Sequence, residues 1–331
     1  MNPIRFIFRL RRGFGPVVIL LVLYLLVSIV YYHLPWSVRY DVYKRSPKLD
    51  NVLRQGGFAI LQGWDELALF GKDAAIPLPD GYRGDRVYAG YPSQGFKLFG
   101  RLETLENRGY VVGYSESRRA PLWAAYRIFD VPKLHSDKRP SRFKADARTK
   151  AQVSHDDYTN SGYDRGHMAP NYGIATRYGR EAQIETFLMS NVIPQTPRVN
   201  QHIWKDLEHR VSKQYGRYFS EVWVVTGPIY KEPVSQLDSG VSIPAAYYKI
   251  IADENGDELR TLAFVVEFDC PPFTRIKTRL VSIDEIEQRT GLDFFPELPD
   301  DKEAALESVA ATRLWPWLRP AFMYRMKGKT Y

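Results

Sequence analysis

Cysteine is almost missing from this chain: Cys270 is the single one in 331 residues. No intramolecular disulfide can form, so a disulfide-stapled scaffold is excluded and the fold must rest on a packed core. Acidic residues are absent before Asp41, and a surplus of positive charge is absent after it. Of the 46 Lys and Arg residues, five (Arg5, Arg9, Arg11, Arg12 and Arg39) precede Asp41, leaving 41 basic against 38 acidic residues from there on. The net charge of +8 would suggest a polyanionic partner, but a near-neutral remainder does not. Any affinity for phosphate has to come from a local site. Internal repeats are also lacking. What is present is ordinary globular composition, 44% hydrophobic and 25% charged, enough for one large or two small domains with a full core.

Residues 1–12 form a basic, acid-free start, and 13–36 lack Asp, Glu, Lys and Arg. Within them Val17 to Tyr32 is almost wholly apolar and is followed by Trp36. A hydrocarbon layer of ~30 Å needs about 20 helical residues, so 13–36 is read as a transmembrane anchor with Tyr31, Tyr32 and Trp36 at the interface. A cleaved signal is the rival reading, but its apolar core is shorter and ends at small residues, whereas this one ends Tyr-Tyr-His-Leu-Pro-Trp. Four arginines before the span against Arg39 after it place the amino terminus in the cytoplasm and the bulk of the chain on the periplasmic or extracellular side. The Arg-rich start leaves a mitochondrial intermembrane-space location as the minority alternative.

Residues 37–85 mix charge, Pro and Gly and are read as spacer and lead-in, partly helical around Leu67 to Phe70. From 86 to 331 the pattern is that of a folded domain. Tyr110–Tyr114 and Leu122–Ile128 read as neighbouring strands joined by a polar turn. Val222–Pro228, Ala246–Ile251 and Leu262–Phe268 follow, the last two around the hairpin-like Asp253–Asp257. Ile184, Phe187 and Leu188 suggest one short helix, Trp204, Leu207 and Val211 a longer one, and 300–311 another. The sum is an α+β domain with largely antiparallel sheets flanked by helices.

The chemistry concentrates in Tyr163-Asp164-Arg165-Gly166-His167-Met168-Ala169-Pro170. Phosphodiester hydrolysis needs a base for water, positive charge around the phosphorane and stabilisation of the leaving oxygen. An imidazole suits the first at physiological pH, and extended backbone would turn Arg165 and His167 to one face. In the following helix Asn200 lies within about 40° of Trp204, Leu207 and Val211, so a polar amide starts the apolar face. It is either a helix N-cap or an oxygen ligand for a hard cation such as Mg²⁺. Glu208 sits about 12 Å along the axis and roughly 80° round, too far to chelate the same ion directly but placed to hold one of its waters. A zinc reading of His202, Asp206 and His209 is weaker, since helical zinc ligands usually sit three or four apart.

Together with Thr186–Gln195, Asn200-Gln201, Trp204, Leu207 and Glu208, the Asp-Arg-Gly-His motif resembles the DNA/RNA non-specific endonucleases, the ββα-metal group. Looser similarities at Leu122–Tyr126, Val224–Tyr230, Ile243-Pro244 with Lys249, and Gly291–Phe295 extend it over about 87–298. The resemblance implies His167 as general base, Asn200 as the direct ligand of Mg²⁺ (with Mn²⁺ as a substitute), and Glu208 acting on the ion through water. It also implies Arg165 on the phosphate and Asn191 in support of the catalytic set. Arg142 is the candidate for a second phosphate-binding arginine, with Arg139 nearby. The expected activity is membrane-anchored, metal-dependent endonucleolytic cleavage of DNA, with RNA left open, giving 5′-phosphate ends. The expected partners are nucleic acid and the lipid bilayer, and a homodimer is allowed. A non-cutting nucleic-acid-binding or uptake protein and a phosphodiesterase for another ester are the alternatives.

Overall fold

The computed structural model describes residues 3–67, 70–94, 102–132 and 135–316, the side chains of 3–15 excepted. The first two residues of the basic start and the last fifteen of the 86–331 domain therefore lie outside the described residues. Two compact units divide the chain, one running to Leu67 with Phe273–Arg275, the other comprising 68–272 and 276–331.

The first unit holds three helices, α1 (Pro3–His33), α2 (Trp36–Arg45) and α3 (Pro47–Leu67). Within α1, Pro16–His33 has a mean hydropathy of 2.2 and is 11% buried. Val17 to Leu23, Leu26, Val27 and Val30 face outward, unlike the one-sided stripe of a core helix. Close approach of α1 and α3 depends on glycine, because a Cβ on Gly57 would stand 2.3 Å from the Ser28 carbonyl oxygen. Tyr31 donates to buried Asp50 at 2.9 Å, and Arg39 pairs with the same carboxylate at 3.4 Å. The stretch read as spacer thus carries α2 and α3, and its end supplies a strand to the sheet described next.

The second unit is built on one antiparallel sheet. Its strands are β1 (Ala74–Pro77), β3 (Glu103–Glu106), β4 (Val111–Ser115), β5 (Ala120–Phe129), β8 (Glu221–Ile229), β9 (Ala246–Asn255), β10 (Glu258–Glu267) and β11 (Leu280–Val281). They run in the order β1-β10-β9-β8-β5-β4-β3, with β11 beside β10. Two small ribbons accompany it: β2 (Ser93–Gln94) with β12 (Leu292–Asp293), and β6 (Asp164–His167) with β7 (Val192–Gln195). The β9–β10 hairpin is tighter than the sequence suggests, since Asn255 pairs with Glu258 across Gly256-Asp257 and both strands reach ten residues. Gly256 takes φ 68° there, a conformation that favours glycine in a two-residue hairpin loop.

Alternation along the strands separates two cores. Tyr126, Val224, Tyr247, Ile251, Leu262 and Phe264 face one way, onto Trp204, Leu207, Val211 and Tyr215 of a helix over 197–218. Trp123, Trp223, Tyr248, Ile250 and Val265 face the other, onto Ile283 and Ile286 of the helix Ile283–Thr290 and Leu306 of the helix Asp300–Glu307. With both faces covered, the central strands read as continuous apolar runs rather than strict alternation. Trp204, 1% exposed, fixes the 197–218 helix to the sheet. An aromatic of its size removes about 150–250 Å² from water, worth up to about 4–6 kcal/mol at ~25 cal/mol/Å².

The short helix expected at Ile184 to Leu188 lies earlier, as α4 (Asn171–Glu185). Its apolar period is broken by Gly179, at φ 82° and ψ −171°. Phe187 and Leu188 lie beyond its end, and Ile184 is exposed.

Candidate active site

A cleft of about 590 Å³ opens where β6, the start of α4 and the 197–218 helix meet. Arg139, Arg165, His167, Asn171, Asn200, Gln201, Lys205, Glu208 and Lys213 are among its walls. Three sequence candidates, His167 on β6 and Asn200 and Glu208 on the 197–218 helix, are thus brought to one space, with Arg165 beside them.

His167 closes β6, paired with Val192 across the ribbon. Its ring is wedged between Phe143 and Phe187, with centroids 5.0 and 5.1 Å away, and among the described residues its Nε2 has no hydrogen-bond partner. Burial first, and the Arg139 guanidinium second, lower its pKa to about 3. The imidazole is therefore neutral and able to accept a proton. The chain just beyond it is held by Asn191, whose Oδ1 accepts from Ala169 N at 2.8 Å while Nδ2 donates to the carbonyls of Ala169 and Thr186, both at 3.0 Å. Asn191 is fully buried and does not line the cleft; what it does is fix the backbone after the histidine. Gly166 is required for a related reason: a Cβ there would meet the buried Gln195 side chain at 2.2 Å.

Arg165 faces the cleft with His167, as the alternation requires, but its Nε and Nη2 both donate to the His155 carbonyl, at 3.1 and 2.7 Å. Nη2 also reaches Thr159 Oγ1 at 3.2 Å. The guanidinium is thereby braced with its Nη1 side uncommitted, a fixed fork for an anion. The second arginine of the cleft is Arg139, not Arg142. Arg142 is exposed and pairs with Asp156 at 2.5 Å, whereas Arg139 stacks over Phe187 at 5.2 Å and acts electrostatically on both His167 and Glu208.

Asn200 is not the N-cap of its helix. That place belongs to Thr196, whose Oγ1 accepts from Val199 N at 3.3 Å. Asn200 instead opens a π-type turn over 200–204, and a second such turn covers 210–215. Insertions of this kind recur at functional sites. The wider turn over 200–204 advances less per residue, which reduces the angle of roughly 80° that a uniform α-helix would set between Asn200 and Glu208. Asp164 of β6 accepts from Asn200 Nδ2 at 2.8 Å and from Gln201 Nε2 at 2.9 Å. A carboxylate only accepts, so the Asn200 nitrogen must face Asp164 and its Oδ1 is left for the cleft.

Among the described residues, Glu208 is the one carboxylate on the cleft wall. Burial raises its pKa, opposed by the buried Lys249 ammonium and by Arg139. Lys249 is fully enclosed behind it, 4.5 Å from the Trp204 ring and 3.3 Å from Tyr126 Oη, and burial lowers its pKa in turn. One amide oxygen and one carboxylate, with room for water, are the donor set of a hard divalent cation such as Mg²⁺ or Mn²⁺. They do not suit a closed zinc site. His202 and His209 border the same cleft, but among the described residues they and Asp206 do not bring three donor atoms within sharing distance.

Sequence reasoning missed Asn171, Lys205 and Lys213. Asn171 puts a buried, unpartnered Oδ1 at the cleft. With Arg139 and Arg165, the two lysines make four cations around a single acid among the described residues.

Comparison with known proteins places the chain among nucleases. The model of the DNA/RNA non-specific endonuclease family matches residues 89–301. The mitochondrial nuclease EXOG of Danio rerio is 30% identical over 230 residues, 63% of this chain and 66% of the relative. The nuclease of Serratia marcescens is 31% identical over 219 residues, 62% of this chain and 79% of the relative. Human mitochondrial endonuclease G is 29% identical, with 61% and 73% covered. The chain spans 61–66% of the length of the fish, frog and mouse EXOG relatives. Among solved structures, an EndoG/EndoGI inhibition complex superposes with a TM-score of 0.54 at 27% identity, over 62% of this chain and 90% of that one.

Proposed function

The chain belongs to the DNA/RNA non-specific endonuclease family, and on that premise we propose that it is a membrane-anchored, metal-dependent nuclease that hydrolyses phosphodiester bonds of DNA and RNA. One observation supports this most: neutral His167, the Asn200 Oδ1 and Glu208 border one cleft among four cations. A divalent cation, Mg²⁺ or Mn²⁺, held by Asn200 with Glu208 reaching it through water, would supply positive charge at the departing 3′ oxygen and so leave 5′-phosphate ends. Arg165 and Arg139 hold the non-bridging oxygens and stabilise the charge that grows on them. His167 Nε2 takes the proton of the attacking water, and Phe143 and Phe187 keep the ring in that orientation. Asn191 keeps the histidine's backbone in place.

Supercoiled plasmid and a structured RNA, incubated with the full chain in detergent micelles with Mg²⁺ or with chelator, test the reading. Both substrates are expected to be cut only with the cation, and His167→Ala should lose at least a hundredfold in rate while still retarding DNA in a gel. Cutting in chelator, full activity of the variant, or cleavage of a small aryl phosphodiester alone would each defeat it.

The outward-facing apolar surface of Pro16–His33 supports anchoring in a bilayer, with the amino terminus on the cytoplasmic side and the nuclease outside. Relatives named mitochondrial favour, as a second reading, a nuclease facing the intermembrane space. Resistance to alkaline carbonate extraction, combined with protease protection of the 86–331 region, tests the anchor and its orientation.

A further inference from the structure

On the sheet face opposite the 197–218 helix, the helices Ile283–Thr290 and Asp300–Glu307 pack against each other through the second core. Asp284, Glu287 and Glu307 each bring a carboxylate oxygen into one group, all within 4.8 Å of one another. Asp293 and Glu303 stand alongside and add to the repulsion. Among the described residues none of these five acids has a Lys, Arg or His within ion-pair distance. Glu287 accepts from Phe294 N at 2.8 Å, Asp293 accepts from Ser93 Oγ at 2.8 Å, and Glu303 is within hydrogen-bonding reach of Asp293.

Glu307 is the buried member of the three. It is 4% exposed, its Oε1 is sealed from solvent with no hydrogen-bond partner among the described residues, and it points into the group formed by the other two. Burial and the neighbouring acids push its carboxyl up to about 9. A buried carboxylate without donors is strongly disfavoured unless a cation meets it.

We propose that Asp284, Glu287 and Glu307 bind a Ca²⁺ ion that clamps the Ile283–Thr290 and Asp300–Glu307 helices together. All the donors are anionic oxygens, which select a hard cation over zinc or copper. The oxygens lie within 4.8 Å of one another, close enough for ligands at about 2.3–2.6 Å to share one Ca²⁺. Ca²⁺ also accepts the flexible geometry of ligands drawn from two helices, whereas Mg²⁺ demands a near-ideal octahedron and keeps several of its waters. Asp284 and Glu287, one turn apart on one helix, give two ligands on one face, and Glu307 brings the third across the helix pair. Because this group lies on the sheet face opposite the cleft helix, the ion holds the fold and takes no part in bond cleavage.

The test melts the full chain in detergent micelles with EGTA or with millimolar Ca²⁺, at a fixed Mg²⁺ concentration. Near 100 times Kd, Ca²⁺ should raise the folded-to-unfolded ratio about a hundredfold and the midpoint by several degrees, with one ion bound per chain by calorimetry. Glu307→Gln should melt above wild type in EGTA at neutral pH, where its neutral amide removes the cost of taking up a proton on folding, and show no response to Ca²⁺. Asn200→Ala, altered only at the cleft, should keep the response. If Glu307→Gln fails to fold, the exposed Asp284→Asn is expected to lose the Ca²⁺ response in its place. A wild type indifferent to Ca²⁺ would mean that shared protons alone hold the acids, and a Ca²⁺ response that survives these acid variants would locate the ion elsewhere. Either result overturns the proposal.

Discussion

Replacing Asp164 by alanine tests the cleft through a residue that does not line it. Its Oδ2 holds the Asn200 amide at 2.8 Å and the Gln201 amide at 2.9 Å. A hydrogen bond to a charged group is worth about 1.5–3 kcal/mol, which at ~1.4 kcal/mol per tenfold biases the Asn200 amide roughly ten- to hundredfold toward presenting Oδ1 to the cleft. Without Asp164 that bias goes, and the cation meets a mixture of oxygen and nitrogen. Residues that orient a ligand typically cost 10–100-fold in metal affinity when removed. In a plasmid-nicking assay across Mg²⁺ concentrations, the half-saturating Mg²⁺ for Asp164→Ala should therefore rise about 10–100-fold. Its rate at saturation should stay near wild type, because His167 and the arginines are intact. Asp164→Asn should fall between the two, since it can still accept but no longer carries the charge. The reasoning is refuted if half-saturation is unchanged, or if the saturated rate collapses while half-saturation stays put, with the fold of each variant checked by its melting curve.

Arg139→Ala should lower kcat/KM on plasmid by tenfold or more, since a charge aimed at the phosphate is removed, whereas Arg142→Ala should stay within twofold, because its exposed pair with Asp156 is worth about 0–1 kcal/mol; paired assays at one salt concentration decide between them. For His167, the folded pKa of about 3 lies below the usual 6.5, so the unfolded chain binds more protons between those values. Its contribution to stability is complete above pH 6.5 and is lost as pH falls toward 3. Urea unfolding of wild type should therefore show stability dropping more steeply across pH 6.5 to 4 than in His167→Gln, and equal slopes would contradict the assigned environment.

Much of this site is legible in the residues, because its parts obey local rules. Period 2 carries Arg165 and His167 to one face, and helical period identifies Asn200 and Glu208 as polar residues belonging to an apolar helix. What escapes is set by tertiary context. The segment around Arg139 and Arg142 has neither strand nor helix period, so no phase chooses between the two arginines; the Phe187 ring does, by stacking under Arg139. Strand β1 is four residues beside prolines, too short to signal by alternation, and only its pairing with β10 reveals it. The π-type turns have no composition of their own, so a uniform 100° per residue misplaces Glu208 relative to Asn200.

Charge shows the same dependence on context. Averaged over residues 41–331, 41 basic against 38 acidic residues predicts almost no attraction to nucleic acid. Screening at physiological salt, however, confines each exposed charge to about 8 Å, so a phosphate in the cleft feels the charges around it rather than the sum. There Arg139, Arg165, Lys205 and Lys213 outnumber Glu208. The compensating acids cluster elsewhere, among them Asp284, Glu287, Asp293, Glu303 and Glu307 on the far face of the sheet. A near-neutral composition is thus what results when one fold separates an anion-binding cleft from a cation-binding cluster, and it cannot count against a nuclease.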